Sequence, residues 1–585
     1  MDRKESGFNY ISVVALVLFS LVCLCMCGIQ GIYSFSLFPD EFGYWAGAAK
    51  ALGYDFSEIT SIGSFYSFGY SLILMPVMKI FSDSVLAYRA AVVVNLLLQV
   101  SSFFIFTKIA DRLFENTDRL TGAILSGIAV LYPSWVFYVQ MTMSEALLFF
   151  MYTLVVFLMM FYLDNTSAYV GTLLAIATVY IYSVHMRAVG IPIAVICTLL
   201  IGCVLRKKRQ GSDKDFLSAA LPVLIILAGL IVCLFIKKYM IGALYLGGAE
   251  NSTATNDYSG QMSKFAELFT LAGIGRFFAA MSGKILYLGC ASFGLAYIGI
   301  YVLVKRVINK DIKALFVLLA SLFQFLVMCI YLIHSADVVE DRFDLFLNGR
   351  YIDYVIPLLT VIGMNEILHC RVDIGKIASV VSVMIVSAAI SCIVVLRNKV
   401  GMRDPHGMLM VGMSYFMDEK NVRPVRTIVI STVFALLIMF TLIGIALFYQ
   451  KSRNFYILFF IHLFLIGLSY SACDHFIYIG QSYIYGDIQV ADEIASLRKE
   501  GHSGDVILVY EGGLEYIDTV QFRLRDEHIG VIYAGIRGEL SKLKDDDLVL
   551  VDYESDLNAE LSKEYDSSWE SGHFELYYNK VGREN

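Results

Sequence analysis

Apolar residues in this chain come in long blocks, not in the alternating or helical-face patterns of half-buried strands and surface helices. The first block covers 8–29. Others follow at 85–107, 120–139, 143–163, 168–185, 188–205, 217–238, 284–304, 312–333, 351–368, 376–396, 427–449 and 455–471. A helix of about twenty apolar residues crosses the hydrocarbon core, so the pattern predicts an all-α polytopic membrane protein with about thirteen transmembrane helices. Block 8–29 is too long for the core of a secretory signal and lacks a small-residue cleavage site, so it reads as a retained anchor.

Segment 67–82 is shorter, and Pro76 and Lys79 interrupt it. Counting it as a span reverses the side of every later loop. Left in the interface, it puts Arg3/Lys4, Lys108/Arg112/Arg119, Arg206-Lys207-Lys208-Arg209, Lys305/Arg306/Lys310/Lys313, Arg371/Lys376 and Lys451/Arg453 on one side. Basic loops mark the cytoplasmic face, so 67–82 is expected to lie along the outer interface. The N-terminus is then inside and the C-terminus outside. Lys237, Lys238 and the basic loop 397–426 fall on the outer side, where anionic lipid would be their partner.

From about Asp487 the pattern becomes that of a soluble α/β module. Segment 488–499 reads as an amphipathic helix, 505–510 and 547–553 as buried strands, and Gly512-Gly513 as a turn. The predicted organisation is a membrane domain over 1–471, whose first outer loop 30–84 carries interfacial helices. A linker over 472–486 and a small extracytoplasmic α/β domain over 487–585 follow.

Composition agrees. Of 585 residues 58% are hydrophobic and 17% charged, against about 25% charged in soluble domains. The net charge of −7 says little about nucleic acid, and with basic residues spread over short loops no nucleic-acid partner is expected. The eleven cysteines lie mostly inside apolar blocks, with no CxxC and no zinc spacing, so they read as small core residues. No internal repeat is visible. The triplet Asn251-Ser252-Thr253 is a chance-level glycosylation motif. Eukaryotic-style sorting signals are missing, so a bacterial plasma membrane is the expected location.

Charge at a membrane edge is costly and marks candidate function. Asp40 and Glu41 open the first outer segment, and Glu145 begins the span at 143–163. His185 and Arg187 occupy the next outer turn. His334, Asp337, Glu340, Asp341, Arg342 and Asp344 precede Asn348-Gly349-Arg350-Tyr351. Singly, such residues are ordinary interfacial or snorkelling groups. Together they suggest a cavity for a substrate that is partly anionic and partly apolar. A carboxylate can take a proton from an attacking hydroxyl, and arginines suit a leaving phosphate.

These residues resemble, in order and spacing over 1–360, the GT-C membrane glycosyltransferases. The likeness is to the branch of protein O-mannosyltransferases and the aminoarabinose transferase of lipid A. It rests on Asp40-Glu41 with Tyr44, Phe68-Gly69-Tyr70-Ser71-Leu72, Arg89 with Asn95, Ser144-Glu145, Arg187 with Gly190, and Gly349-Arg350-Tyr351 with Pro357. The resemblance implies inverting transfer of a sugar from a polyprenyl-phosphate donor to an extracytoplasmic glycan, lipid or protein, in contact with membrane lipids. It implies Asp40 as base with Glu41 beside it. The candidate substrate- and phosphate-binding set is Glu145, Arg187, Arg350, Tyr351, His334 and Tyr70.

Two departures stand out. The lipid A branch has a phosphate-ligand lysine near Phe65-Tyr66-Ser67-Phe68, and here Lys79 lies too far along. The Asp-x-Asp of the oligosaccharyltransferase branch is missing near Glu145, so neither a metal nor another cofactor is expected. The choice of Asp40 over Glu41 comes from the resemblance, since a carboxylate of ordinary pKa, about 4, is a weak base.

Two other classes compete. A transporter or lipid flippase would show repeated halves and mid-span charges. A protein working through its tail would need a site there, and the tail has no GxGxxG fingerprint.

Overall fold

A backbone in hydrocarbon satisfies its N–H and C=O groups by closing them on itself, which is why the apolar blocks form helices. The computed structural model describes residues 3–35, 40–114, 117–210, 214–248, 261–336, 343–371, 373–401, 411–416, 423–512, 516–536 and 538–580. Asp337, Glu340, Asp341, Arg342, Gly513, the Asn251-Ser252-Thr253 triplet and much of loop 397–426 lie outside them. Among the described residues ten helices are long and apolar enough to span a membrane, or eleven with one bent pair counted as a span. All eleven cysteines are free thiols.

The differences from thirteen spans have local causes. Block 120–139 breaks into Arg119–Val130 and Pro133–Val139, bent by 61°. Pro133 forbids a helical residue before it, and Tyr132 is accordingly at ψ 126°. Block 284–304 is divided between Leu271–Ala291 and Leu295–Ile308 by Gly294 at φ +76°, a conformation glycine adopts without strain. Ala168–Val184 and Ile356–His369 are helices of 17 and 14 residues. Segment 67–82 holds the ten-residue helix Ser71–Ile80, about 15 Å long and too short to cross.

The expected linker over 472–486 is helical. Phe459–Cys473 passes through one π-helical segment, Asp474–Tyr478, into Gln481–Lys499. The polar shift there marks a change of solvent, and no proline interrupts the backbone.

The tail is a five-stranded sheet: β1 Val506–Tyr510, β2 Ile529–Tyr533, β3 Leu548–Asp552, β4 Ser567–Ser571 and β5 Phe574–Tyr578. The order is β2-β1-β3-β5-β4, with β1 parallel to β2 and β3, and β5 antiparallel to β3 and β4. Alternation divides its faces. Val509, Val549 and Val551 form a small outer core, while Leu508, Leu548 and Leu550 join the core that continues into the membrane domain.

Short helix Ile517–Arg523 docks this domain onto the first outer segment. The Phe522 ring lies 4.7 Å from Trp45 and 5.2 Å from Phe35. Arg525 donates to the carbonyls of Met78 at 3.0 Å and Phe81 at 2.9 Å, and also to that of Ser82. Arg523 pairs with Asp83 and, at 2.8 Å, with Asp492. Burial works against charge on Asp83, but the Leu86 N–H and Arg523 outweigh it and hold the carboxyl below its ordinary range.

Phe522→Ala empties the wedge between Trp45 and Phe35, and such truncations of buried Phe cost about 3–5 kcal/mol. The expected outcome is a lower thermal midpoint in detergent and faster proteolytic attack on the tail, with the membrane helices still assembled.

Candidate functional site

The helix Asp40–Leu52 begins with two carboxylates, which its N-terminal dipole favours. Adjacent helical residues face different ways, and these two have separate partners. Asp40 Oδ2 accepts from Arg350 Nη2 at 2.6 Å. Glu41 is fully buried and accepts from the Tyr88 hydroxyl at 2.6 Å, the Thr142 N–H at 2.8 Å and the Thr142 hydroxyl at 2.7 Å. The structure therefore gives Glu41 an anchoring place behind Asp40 and not, as the sequence suggested, a place beside it in the site.

Arg350 is the centre. Its Nε donates to Glu145 Oε1 while its Nη2 holds Asp40, and the side chains of Arg350 and Glu145 are only 7% and 2% exposed. Two carboxylates on one guanidinium leave a net negative charge.

The loop that presents Arg350 is fixed from several sides. Lys284, buried in Leu271–Ala291, donates to the carbonyl of Phe346 at 2.9 Å and to that of Leu345. The Asn348 side chain accepts from the Arg350 N–H at 2.7 Å. A Cβ on Gly349 would lie 1.6 Å from the Tyr287 ring, so only glycine lets that ring approach. Tyr287 in turn donates to Asp353 at 2.7 Å, joined there by Ser134 at 2.7 Å and Tyr132 at 3.1 Å. Sequence reading missed Lys284 and Asp353. Each is a charge at the edge of an apolar block, and that was the available signal.

The wall carrying Glu145 is held likewise. Tyr70 donates to Asn95 at 2.9 Å, and Asn95 donates to the carbonyl of Met141 at 2.8 Å. Trp45 donates to the Thr142 hydroxyl at 3.0 Å, and Tyr44 to Ser144 at 2.7 Å. Tyr70 is fully buried. Its hydroxyl is taken up by Asn95 in that wall.

Next to Arg350 in sequence, Tyr351 leads to a second pole. The Arg187 guanidinium lies 3.8 Å from the centre of the Tyr331 ring and 4.5 Å from that of Tyr351, and bonds both hydroxyls. Gln324 ties the two strands by donating to the carbonyls of Tyr351 at 2.8 Å and Arg187 at 3.1 Å. Lys264 lies 4.7 Å from the Tyr331 ring centre. His334 stands further out, 3.0 Å from Glu267, which also pairs with Arg276 at 3.2 Å. The structure thus brings Asp40, Glu145, Arg350, Tyr351 and Arg187 into one network, with Glu41 and Tyr70 behind it and His334 at the rim. Among the described residues no group of three or more His, Cys, Asp or Glu is placed to hold a metal ion.

No protein-family model and no curated protein matches the sequence. Solved structures do match in shape. ArnT from Cupriavidus metallidurans bound to undecaprenyl phosphate aligns at 12% identity and a TM-score of 0.54, covering 99% of each chain. Its apo structure aligns at 13% identity and a TM-score of 0.50, covering 98% of each. The oligosaccharyltransferase AglB from Archaeoglobus fulgidus gives 10% identity and a TM-score of 0.47, over 89% of this chain and 64% of its own. The fold is that of the GT-C membrane proteins.

Removing Arg350 strands two carboxylates, a change that costs about 3–5 kcal/mol when the charge left behind is buried. Arg350→Leu should therefore lower the thermal midpoint sharply. Adding Glu145→Leu should restore part of it, since a well-packed apolar pair can replace a buried ion pair. Equal midpoints for the single and double variants would rule out this account.

Proposed function

We propose that this chain, built on the GT-C fold, is a membrane glycosyltransferase that moves a sugar from a polyprenyl-phosphate donor to an extracytoplasmic acceptor. The observation that carries the reading is Asp40. It is a carboxylate at a helix start, oriented by Arg350, with an arginine held between two tyrosines next door. In the reaction, an acceptor hydroxyl attacks the anomeric carbon and gives its proton to Asp40. The carbon–oxygen bond to the phosphate breaks, and its electron pair leaves on the phosphate oxygen as polyprenyl phosphate. Attack opposite the leaving group inverts the anomeric centre.

Each pole has its chemistry. Arg350 already holds two carboxylates, so its work is to aim Asp40. The phosphate falls to Arg187, with Lys264 close by, in place of the lysine that the lipid A branch has in its first loop. Guanidinium forks suit phosphate oxygens and stabilise charge as it develops there. Two observations support a lipid donor. One is the ArnT structure bound to undecaprenyl phosphate. The other is an apolar groove of 280 Å³, lined by Leu288, Ile300, Phe325, Ile352, Val355 and Leu359, that starts one residue after Tyr351. Loop charge supports an extracytoplasmic position for this site, and a bacterial plasma membrane is the setting proposed.

Asp40→Asn keeps the shape and a hydrogen-bond acceptor for Arg350 but removes the base. Transfer should fall by about 10²–10⁴-fold, with normal expression and melting. Lipid profiling should then find the sugar-bearing donor accumulated. Full transfer in that variant would remove Asp40 from the mechanism. Lipid movement across sealed vesicles with no glycosylated product would replace the enzyme by a flippase.

A further inference from the structure

Beside Tyr351, whose hydroxyl accepts from Arg187, stand six more buried tyrosines, and five of these have an identified use for their hydroxyls. Tyr44 bonds Ser144, Tyr70 bonds Asn95, Tyr88 bonds Glu41, and Tyr132 and Tyr287 bond Asp353. The sixth is Tyr138. It is 1% exposed, and its hydroxyl has no hydrogen-bond partner among the described residues. A buried, unbonded hydroxyl is unfavourable and calls for a reason. Tyr152 and Tyr354 also have unbonded hydroxyls, but their polar neighbours are each other and Ser321 and not the charged groups of the site.

Tyr138 lies on Pro133–Val139, the seven-residue piece that follows the 61° break, and every residue of that piece is buried. Charged groups in electrostatic reach of its hydroxyl are Arg350, Glu145, Asp353 and Asp40. These are the guanidinium and both carboxylates of the central triad, plus the carboxylate that braces the Arg350 loop. The wall beyond it continues through Thr142 and Ser144 to Glu145, all bonded.

We infer that Tyr138 builds a subsite for a sugar hydroxyl, donating its O–H to that oxygen when substrate is bound. The inference rests on the proposed glycosyl transfer. Charge decides the ligand's class. Three carboxylates against one guanidinium leave the charge in reach of the phenol net negative, so a phosphate is repelled there, whereas a neutral hydroxyl is not. That hydroxyl belongs to the donor's sugar or to the acceptor. In either case the phosphate stays at Arg187.

The test is Tyr138→Phe in the full-length protein, in detergent, with Tyr88→Phe as a structural control. Tyr138→Phe removes no protein hydrogen bond, so its thermal midpoint should equal or exceed that of the parent. Tyr88→Phe takes a donor from buried Glu41 and should lower it. Binding is measured with two probes: undecaprenyl phosphate, and the same lipid phosphate carrying a hexose. A contact to the donor sugar predicts about tenfold weaker binding of the hexose-bearing probe, with the bare lipid phosphate unchanged. A contact to the acceptor predicts unchanged binding of both probes and about a tenfold rise in the acceptor KM. Equal weakening of both probes would make Tyr138 a phosphate ligand and overturn the inference. Parent-like binding and kinetics throughout would also overturn it. Asp40→Asn assayed in parallel separates the two failures. If Asp40→Asn is inactive while Tyr138→Phe behaves as the parent, only the subsite falls. If Asp40→Asn is fully active, the transferase reading falls.

Discussion

One buried cation organises this protein. Arg350 bonds Asp40 from the first outer segment and Glu145 from the head of a distant helix, so a single guanidinium joins positions 310 and 205 residues apart in the chain. A charge so enclosed is tolerable only where its partners are fixed in place. Much of the surrounding polar structure meets that condition. Lys284, Asn348 and the Tyr287–Asp353 bond hold the loop, and Glu41 holds the helix that carries Asp40. The Phe522 ring presses the same helix from the tail side.

Much of this was legible in the sequence because charge is rare in apolar surroundings. Asp40, Glu145, Arg187 and Arg350 stand out for that reason, and the structure gathers them. The division of labour between Asp40 and Glu41 was not legible, because it depends on what packs against each side of the helix start. Lys284 and Asp353 were hidden at the ends of predicted spans, where a charge looks like a boundary. His334 pairs with Glu267, a partner no spacing rule indicates. Among the tail strands, β1 and β3 are apolar runs and were read correctly. Strand β4, Ser-Ser-Trp-Glu-Ser, is a polar edge strand with no apolar signature. The break at Pro133 had its signal in the proline, which the length of the apolar block obscured.

The two poles also explain why the fold needs its long outer segments. Asp40 comes from the first of them, Arg187 from a tight turn between helices, and the organising Arg350 from the approach to a later helix. Membrane helices alone supply scaffolding and an apolar groove. Polar groups that must meet at the interface arrive on the connections.

The unbroken helix over Phe455–Lys499 has a mechanical meaning. At 45 residues it is about 68 Å long, more than twice the hydrocarbon thickness of about 30 Å. It is a strut and not a tether. One end is apolar, and the other carries the tail domain, whose short helix rests Phe522 on Trp45. Helices answer a change in bilayer thickness by tilting, and a strut passes tilt on to whatever it is bolted to. Bolted in this way, the strut would pass a tilt on to the helix that carries Asp40, with the tail as the arm of the lever.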